Sequence, residues 1–277
     1  MLGRHFQPDL SKGSKGVCMM ILKRERFLLK LVLFAFIAVS AIVRTIGPAA
    51  CLAESKVVVV ASTGWTGAIA RAAGADEVRV LAPLELKHPP EYDYRPADIA
   101  KLGEATAVVY AGYEPFMKKL LEAAGYPESK TVKVTTTNTP DNLKQQARLL
   151  AEKLGTQKKE AEWEVRFEQV TAELLKSAAA KNAAQTKVLV QQHQQPFVKW
   201  LGYDIVGVFS AGELTPAKVM EYANLKPDLV IDNYHNPQGK PIVEVTKCKY
   251  VELINFPSVK APALIDLFQE NAGRLGL

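Results

Sequence analysis

Two kinds of hydrophobic pattern alternate along this chain, and the alternation predicts its fold. Val57-Val58-Val59-Val60 is a short continuous apolar run, as expected of a strand covered on both faces of its sheet. Helical spacing follows over residues 66–73, then a strand at 77–81, a polar loop at 82–96 and a helix at 97–102. A strand at 107–110, a helix at 115–124 and a strand at 130–135 complete this half, and such strand-helix alternation predicts a mostly parallel sheet. The pattern breaks at Thr139. Asp141 starts a helix that runs to Leu154. After Gly155-Thr156, residues 158–180 put Trp163, Val165, Phe167, Val170, Leu174 and Leu175 at mainly helical spacing, with Lys, Glu, Gln and Ala on the other faces. No heptad is sustained for three repeats, so this reads as a rigid connector and not a coiled coil. Beyond Gln185 the alternation resumes, with strands at 187–190, 205–208, 229–231 and 250–253. Helices are expected at 195–201, 216–224, 241–247 and 261–271, the second capped by Thr215 with Pro216 at its first position. The reading is α/β: two doubly wound lobes with mostly parallel sheets, at 54–155 and 186–277, joined by a long connector helix within 156–185. No sequence repeat relates the lobes.

Residues 1–53 follow a different logic. Residues 31–43 carry no charge and no proline, behind a stretch holding Lys23, Arg24, Arg26 and Lys30 and ahead of Ala49-Ala50-Cys51-Leu52-Ala53. Basic head, short apolar middle and small-residue exit form a secretory signal peptide. A membrane-spanning helix needs about 20 apolar residues, and Lys30 and Arg44 bracket this run too closely. Met19 or Met20 would give a leader of ordinary length, so either competes with Met1 as the start. Cleavage after Ala53 gives a soluble chain. Cleavage before Cys51 would give a lipid anchor, which is disfavoured because Pro48 stands where a lipidation signal carries a large aliphatic residue. The protein is therefore expected to be periplasmic or extracellular.

The leader also accounts for the charge. The chain has 35 Lys and Arg against 29 Asp and Glu. Eight of these bases and two of these acids lie in residues 1–53, leaving 27 of each beyond. The remainder is neutral overall, which removes the electrostatic footprint of a nucleic-acid-binding protein. Cys18 and Cys51 fall in the leader region, so Cys248 is the one thiol left, expected buried on a strand; a disulfide framework and a Cys-based zinc knuckle are both excluded.

The candidate chemistry lies in three histidines. His88, His193 and His235 each follow a predicted strand or sit at its end, and open α/β sheets bind ligands beyond the carboxyl ends of their strands. One His from the first lobe and two from the second would face each other across the gap. Neutral imidazole binds metals at about 2.0–2.1 Å and suits Zn, Cu, Fe and Ni. Glu91 and Asp93 stand beside His88, Asp232 beside His235, and Glu114 follows the strand that ends at Tyr110. Against this stands the plain alternative that each His is a loop residue bonded to a carbonyl. The candidate metal ligands are His88, His193, His235, Glu114 and Asp232, with Tyr92 and Tyr94 placed to orient His88. Trp65 is read as lining the cleft or packing in the core. Gly64 and Gly67 make no phosphate loop, because no Gly-Lys-Ser/Thr follows. Neither a nucleophile elbow nor a His-Glu-x-x-His pair is present.

Two segments carry a resemblance: His88-Pro-Pro-Glu-Tyr-Asp-Tyr-Arg-Pro-Ala-Asp-Ile-Ala-Lys-Leu102, and Ala107-Val-Val-Tyr-Ala-Gly-Tyr-Glu-Pro-Phe116. They resemble the first lobe of the zinc/manganese-binding solute-binding proteins of ABC importers. The long connector and Gln191-Gln-His-Gln-Gln-Pro-Phe-Val-Lys-Trp-Leu-Gly202 fit the same pattern more loosely. The family's ligand positions are only partly kept. Aligned through Pro96-Ala97-Asp98, its first His falls on Pro90, two residues after His88. Its second meets Thr135-Thr136-Thr137, its third meets Gln191 with His193 two residues on, and its late acidic ligands meet Asn233 and Asn255. His235 has no counterpart, and the family's His-rich loop is missing.

The resemblance implies an exported, monomeric binding protein that captures a divalent metal between its lobes for an ABC permease. Zn(II) is favoured, with Mn(II) or Fe as alternatives. A second reading keeps the fold and makes the cargo a chelated metal or a tetrapyrrole-like ligand. A third, from another class, is an exported metal-dependent hydrolase with Glu114 or Asp232 as base.

Overall fold

Burial explains the strands. Val59, Val60 and Ala61 of β1 (Val58–Ala61) are wholly inaccessible, as a strand with helices on both sides requires. The computed structural model describes residues 56–277; the leader, Cys18 and Cys51 lie outside the described residues. β1 is flanked by β2 (Glu77–Val80) and β3 (Ala107–Tyr110), and β4 (Thr131–Lys133) pairs with β3. The second sheet contains β5 (Lys187–Gln191), β6 (Asp204–Phe209), β7 (Leu229–Asn233) and β8 (Lys249–Leu253). The orders are β2-β1-β3-β4 and β6-β5-β7-β8, and every pairing is parallel. The two lobes thus share one topology, with a switch point between β1 and β3 and another between β5 and β7.

The helices are α1 (Gly64–Ala72), α2 (Pro96–Gly103), α3 (Pro115–Ala124), α4 (Pro140–Leu154), α5 (Gln157–Ala180), α6 (Gln195–Trp200), α7 (Pro216–Ala223), α8 (Lys240–Thr246) and α9 (Leu264–Leu275). Thr215 caps α7 as expected, its hydroxyl accepting from the Lys218 amide at 3.3 Å. Three local expectations need correction. β4 stops at Lys133 and not Thr135, because α4 captures the backbone beyond it: Gln146 accepts from the Thr135 amide, and the Asn142 amide group donates to the Thr135 and Thr137 carbonyls. α9 starts at Leu264 and not at 261, since Pro262 disfavours a helical residue before it and Asp266 accepts from the Ala263 amide. Cys248 is half-buried in the turn before β8, not on a strand.

The connector helix α5 has 24 residues, about 36 Å at the usual rise. Its inner face carries Trp163 and Phe167, stacked at 4.8 Å. Phe167 meets Phe268 of α9 edge-on at 5.0 Å, and Phe268 meets Phe197 of α6 at 5.2 Å. One apolar cluster therefore runs from Val59 in the first sheet through α5 to Val188 and Ile231 in the second. A separate cluster covers the far face of each sheet. The lobes also touch directly. Trp65 Nε1 donates to the Asn255 carbonyl at 2.6 Å, and a Cβ on Gly64 would lie 2.8 Å from the Pro257 carbonyl oxygen.

Truncating Phe167 to Ala should cost about 3–5 kcal/mol, the usual range for a buried aromatic ring. Val165→Ala, on the outer face of the same helix where Val165 is 57% exposed, should cost about 0.5 kcal/mol or less. Urea denaturation of the two variants checks this; equal losses would mean that α5 is not the seam of the core.

Candidate functional site

The carboxyl ends of both sheets open on one cavity of about 790 Å³. Trp65 reaches it from the segment after β1, His88 from the loop after β2, Tyr113 after β3, and Thr135 to Asn138 after β4. From the second lobe come His193 after β5, Asn233 and His235 at the end of β7, and Asn255 after β8. Trp65 meets both sequence-based expectations, since it is 3% exposed and lines the cavity.

All three predicted histidines line this cavity. His88 and His193 are exposed, and His235 is half-buried. Among the described residues, no three His, Cys, Asp or Glu side chains lie close enough together to hold a metal ion. The backbone around each second-lobe His is fixed. Gln191, itself inaccessible, accepts from the His193 amide at 2.7 Å, and Asn233 accepts from the His235 amide at 3.1 Å. His235 Nδ1 accepts from the Asn255 amide at 3.2 Å, and the ring lies edge-on to Phe256 at 5.4 Å. Asn271 holds that amide's neighbour, pairing with both the N–H and the carbonyl of Ile254. A nitrogen that accepts cannot carry the proton, so the neutral His235 ring bears its hydrogen on Nε2. Burial pushes its pKa down to about 4, helped by the positive charges of His88, Arg274 and Lys87. Partial desolvation moves His193 the same way.

The two predicted carboxylates turn away from the cavity. Glu114 is 4% exposed and accepts from the Ser62 hydroxyl and from the Ala111 and Gly112 amides at 3.0 and 2.6 Å. Asp232 is inaccessible and accepts from the Asn233, Gln238 and Gly239 amides at 2.8, 2.9 and 2.6 Å, and from the Tyr250 hydroxyl at 2.9 Å. Burial, with the negative charge of Asp232 next, pushes the Tyr250 phenol far above its ordinary value. Each acid closes the loop that leaves the strand beside its sheet's switch point, and Asp232 thereby shapes the turn that carries His235. Tyr92 likewise donates to Asp98 at 2.8 Å, not to His88.

The uncharged lining includes the positions at which the resembled family's ligands are replaced. Pro90, Thr135 to Thr137, Asn233 and Asn255, which occupy positions where the resembled family has ligands, all line the cavity. Asn138 beside them is 4% exposed, and neither its Nδ2 nor its Oδ1 has a hydrogen-bond partner. Nothing in its local pattern distinguishes it from an ordinary turn asparagine; the Thr run in place of a family ligand is the one signal nearby.

Two parallel lobes with the carboxyl ends of both sheets facing a shared cavity define a solute-binding protein. The family model described as ZnuA, zinc-uptake complex component A, periplasmic, matches residues 59–226, more than half the chain, and the chain belongs to that family. It is thus a metal-binding periplasmic solute-binding protein of the ABC-importer type and not an enzyme. TroA, described for its metal-binding specificity, shares 15% identity at a TM-score of 0.59, covering 80% of this chain and 99% of its own. FpvC of Pseudomonas aeruginosa in complex with Ni2+ shares 15% at 0.60, covering 79% and 93%. The Mn-bound periplasmic metal-binding protein of Candidatus Liberibacter asiaticus shares 15% at 0.57, covering 79% and 98%. At such identity these likenesses establish the fold. Comparison with curated proteins finds no match.

His235 makes the stability pH-dependent. In the unfolded chain an imidazole takes up its proton near the ordinary value of about 6.5, whereas the folded ring resists until about 4. The unfolded state therefore binds more protons between these values, and stability falls as pH falls from about 6.5 to 4. The loss should reach at most about 3 kcal/mol. In urea titrations at pH 7 and pH 4, His235→Gln should lose less stability than the parent by about 1–3 kcal/mol. An identical loss in both would show that the ring is not held neutral.

Proposed function

We propose that the protein captures a divalent transition metal, zinc first, in the cavity between its lobes and delivers it to an ABC permease. The observation that carries this reading is that imidazoles from both lobes, His88 on one side and His193 and His235 on the other, line a single cavity. Neutral imidazole favours Zn, Cu, Fe and Ni over Mn, and the depressed pKa values keep the His193 and His235 lone pairs free of protons near neutrality. Membership in a zinc-uptake family supports zinc; relatives in complex with Ni2+ and bound to Mn keep other ions, Fe included, as alternatives.

His88 and His193 supply the exposed imidazoles, His193 exchanging the 3.5 Å contact of its Nε2 with the Gln192 side-chain amide for the metal. His235 joins once its ring turns or sheds the Nε2 proton, which means giving up the bond from the Asn255 amide. Glu114 and Asp232 act as positioning residues, because their oxygens are already taken by backbone amides. Export by the leader in residues 1–53, release after Ala53 rather than anchoring at Cys51, and a monomeric state complete the proposal. In it, lobes 54–155 and 186–277 move little, because the connector within 156–185 packs against helices of both.

Elemental analysis of the protein as isolated, followed by zinc titration of metal-stripped protein, tests this. About one equivalent should bind, and His193→Ala combined with His235→Ala should weaken binding at least about 100-fold, as expected when two side chains that hold the metal are lost. Unchanged zinc affinity in that double variant would overturn the ligand assignment.

A further inference from the structure

A zinc ion held by side chains ordinarily has four ligands, drawn from His nitrogen, Cys sulfur and carboxylate oxygen. Three imidazoles leave one position for an oxygen, and the backbone amides have already taken Glu114 and Asp232. Among the described residues, one carboxylate lines the cavity, and it belongs to Glu91. Glu91 is exposed, and its side chain has no hydrogen bond and no ion pair among the described residues. It is also the one negative charge in the lining to set against Lys133 and an arriving dication.

The backbone sets Glu91 alongside His88. Residues Pro89–Glu91 form a single 3-10 turn, closed by the Glu91 amide donating to the His88 carbonyl at 3.0 Å. Side chains three residues apart eclipse in such a turn, and both His88 and Glu91 line the cavity. Pro89 and Pro90 fix φ at the two positions between them, and Pro89 is buried. Just beyond, Tyr92 donates to Asp98 at 2.8 Å and meets Phe116 edge-on at 5.4 Å. An imidazole and a carboxylate are therefore carried side by side on a stiff turn, while their own bonds stay free to rotate. The charge of His88 is felt at His235, so this pair stands within electrostatic reach of the second lobe.

Resting on the metal reading above, we propose that Glu91 is the oxygen ligand of the metal, chelating it with His88 from the first lobe while His193 and His235 close the site from the second. The acid has in effect changed sides. The resembled family takes its acidic ligands from late in the second lobe, where this chain has Asn233 and Asn255. No three donors lie together among the described residues. His88, Glu91 and His193 are all exposed, so side-chain rotation gathers them around the ion without movement of the lobes.

Zinc titration of the metal-stripped full chain, with the parent set against Glu91→Gln and Asp93→Asn, tests this role. Glu91→Gln should keep the parent's melting temperature, because the side chain has no partner to lose, and should bind zinc at least about tenfold more weakly. Asp93 is exposed in the same loop but lies outside the lining. Asp93→Asn removes the same charge and should bind zinc as the parent does. With Co(II) in place of zinc, Glu91→Gln should differ from the parent in its visible ligand-field bands, and Asp93→Asn should not. Unchanged affinity and bands in Glu91→Gln overturn the inference and leave the imidazole site standing. Equal weakening in both variants with the parent's bands retained also overturns it, because Glu91 then acts by charge alone. No zinc bound by the parent overturns the metal reading and this inference with it.

Discussion

The aromatic seam along α5 governs the rest of the molecule. Trp163 and Phe167 project from the connector into a cluster completed by Phe197 and Phe268 of the second lobe. A close-packed interior yields in discrete steps and resists continuous deformation. Sharing it between the lobes therefore fixes their spacing within narrow limits. The contact of Trp65 with the Asn255 carbonyl and the closeness of Gly64 to Pro257 tighten the same seam beside the cavity. A cavity with walls set by core packing is largely preformed. What it accepts is then decided by the chemistry of its lining more than by closure around the ligand.

That lining is arranged by groups that never reach it. Glu114 and Asp232 occupy corresponding places in two lobes of the same topology, and each gathers the backbone amides of its own loop. A buried carboxylate is tolerated when charge-assisted hydrogen bonds meet its oxygens, and both acids satisfy this condition. The consequence is electrostatic as well as structural. Carboxylates next in sequence to the site are spent on holding its loops, so the cavity is left close to neutral. Gln191 and Asn271 add the same service with uncharged amides, fixing the His193 turn and the strand exit that bonds His235.

Much of this was legible in the sequence, for definite reasons. Burial on two faces makes a strand apolar throughout and burial on one face gives a helix its period, so β1, β3, α3 and α5 stood out. The histidines were found because parallel sheets send their strand ends toward one edge, and the sequence locates strand ends. Side-chain direction is not encoded at that level. Glu114 and Asp232 stand next to the site in sequence, yet rotation about a few bonds turns them to backbone amides. The end of β4 and the start of α9 depended on single long-range or capping partners, Gln146 and Asp266. Asn138 was invisible for a different reason: its significance is the absence of a partner, which only a three-dimensional arrangement can display.

The same reasoning separates the histidines by role. A metal-bound imidazole ordinarily donates its second nitrogen's proton to an oxygen, which fixes the ring and strengthens the ligand. His235 has the reverse arrangement, with an amide donating to Nδ1 and the proton left on Nε2. In this tautomer its Nε2–H is free to donate, while His193 Nε2 lies 3.5 Å from the Gln192 side-chain amide nitrogen. Burial first, and then the positive charges of His88, Arg274 and Lys87, disfavour protonating His235, which is why its pKa sits near 4. The second lobe therefore presents a fixed hydrogen-bond donor across the range of pH where proteins ordinarily work.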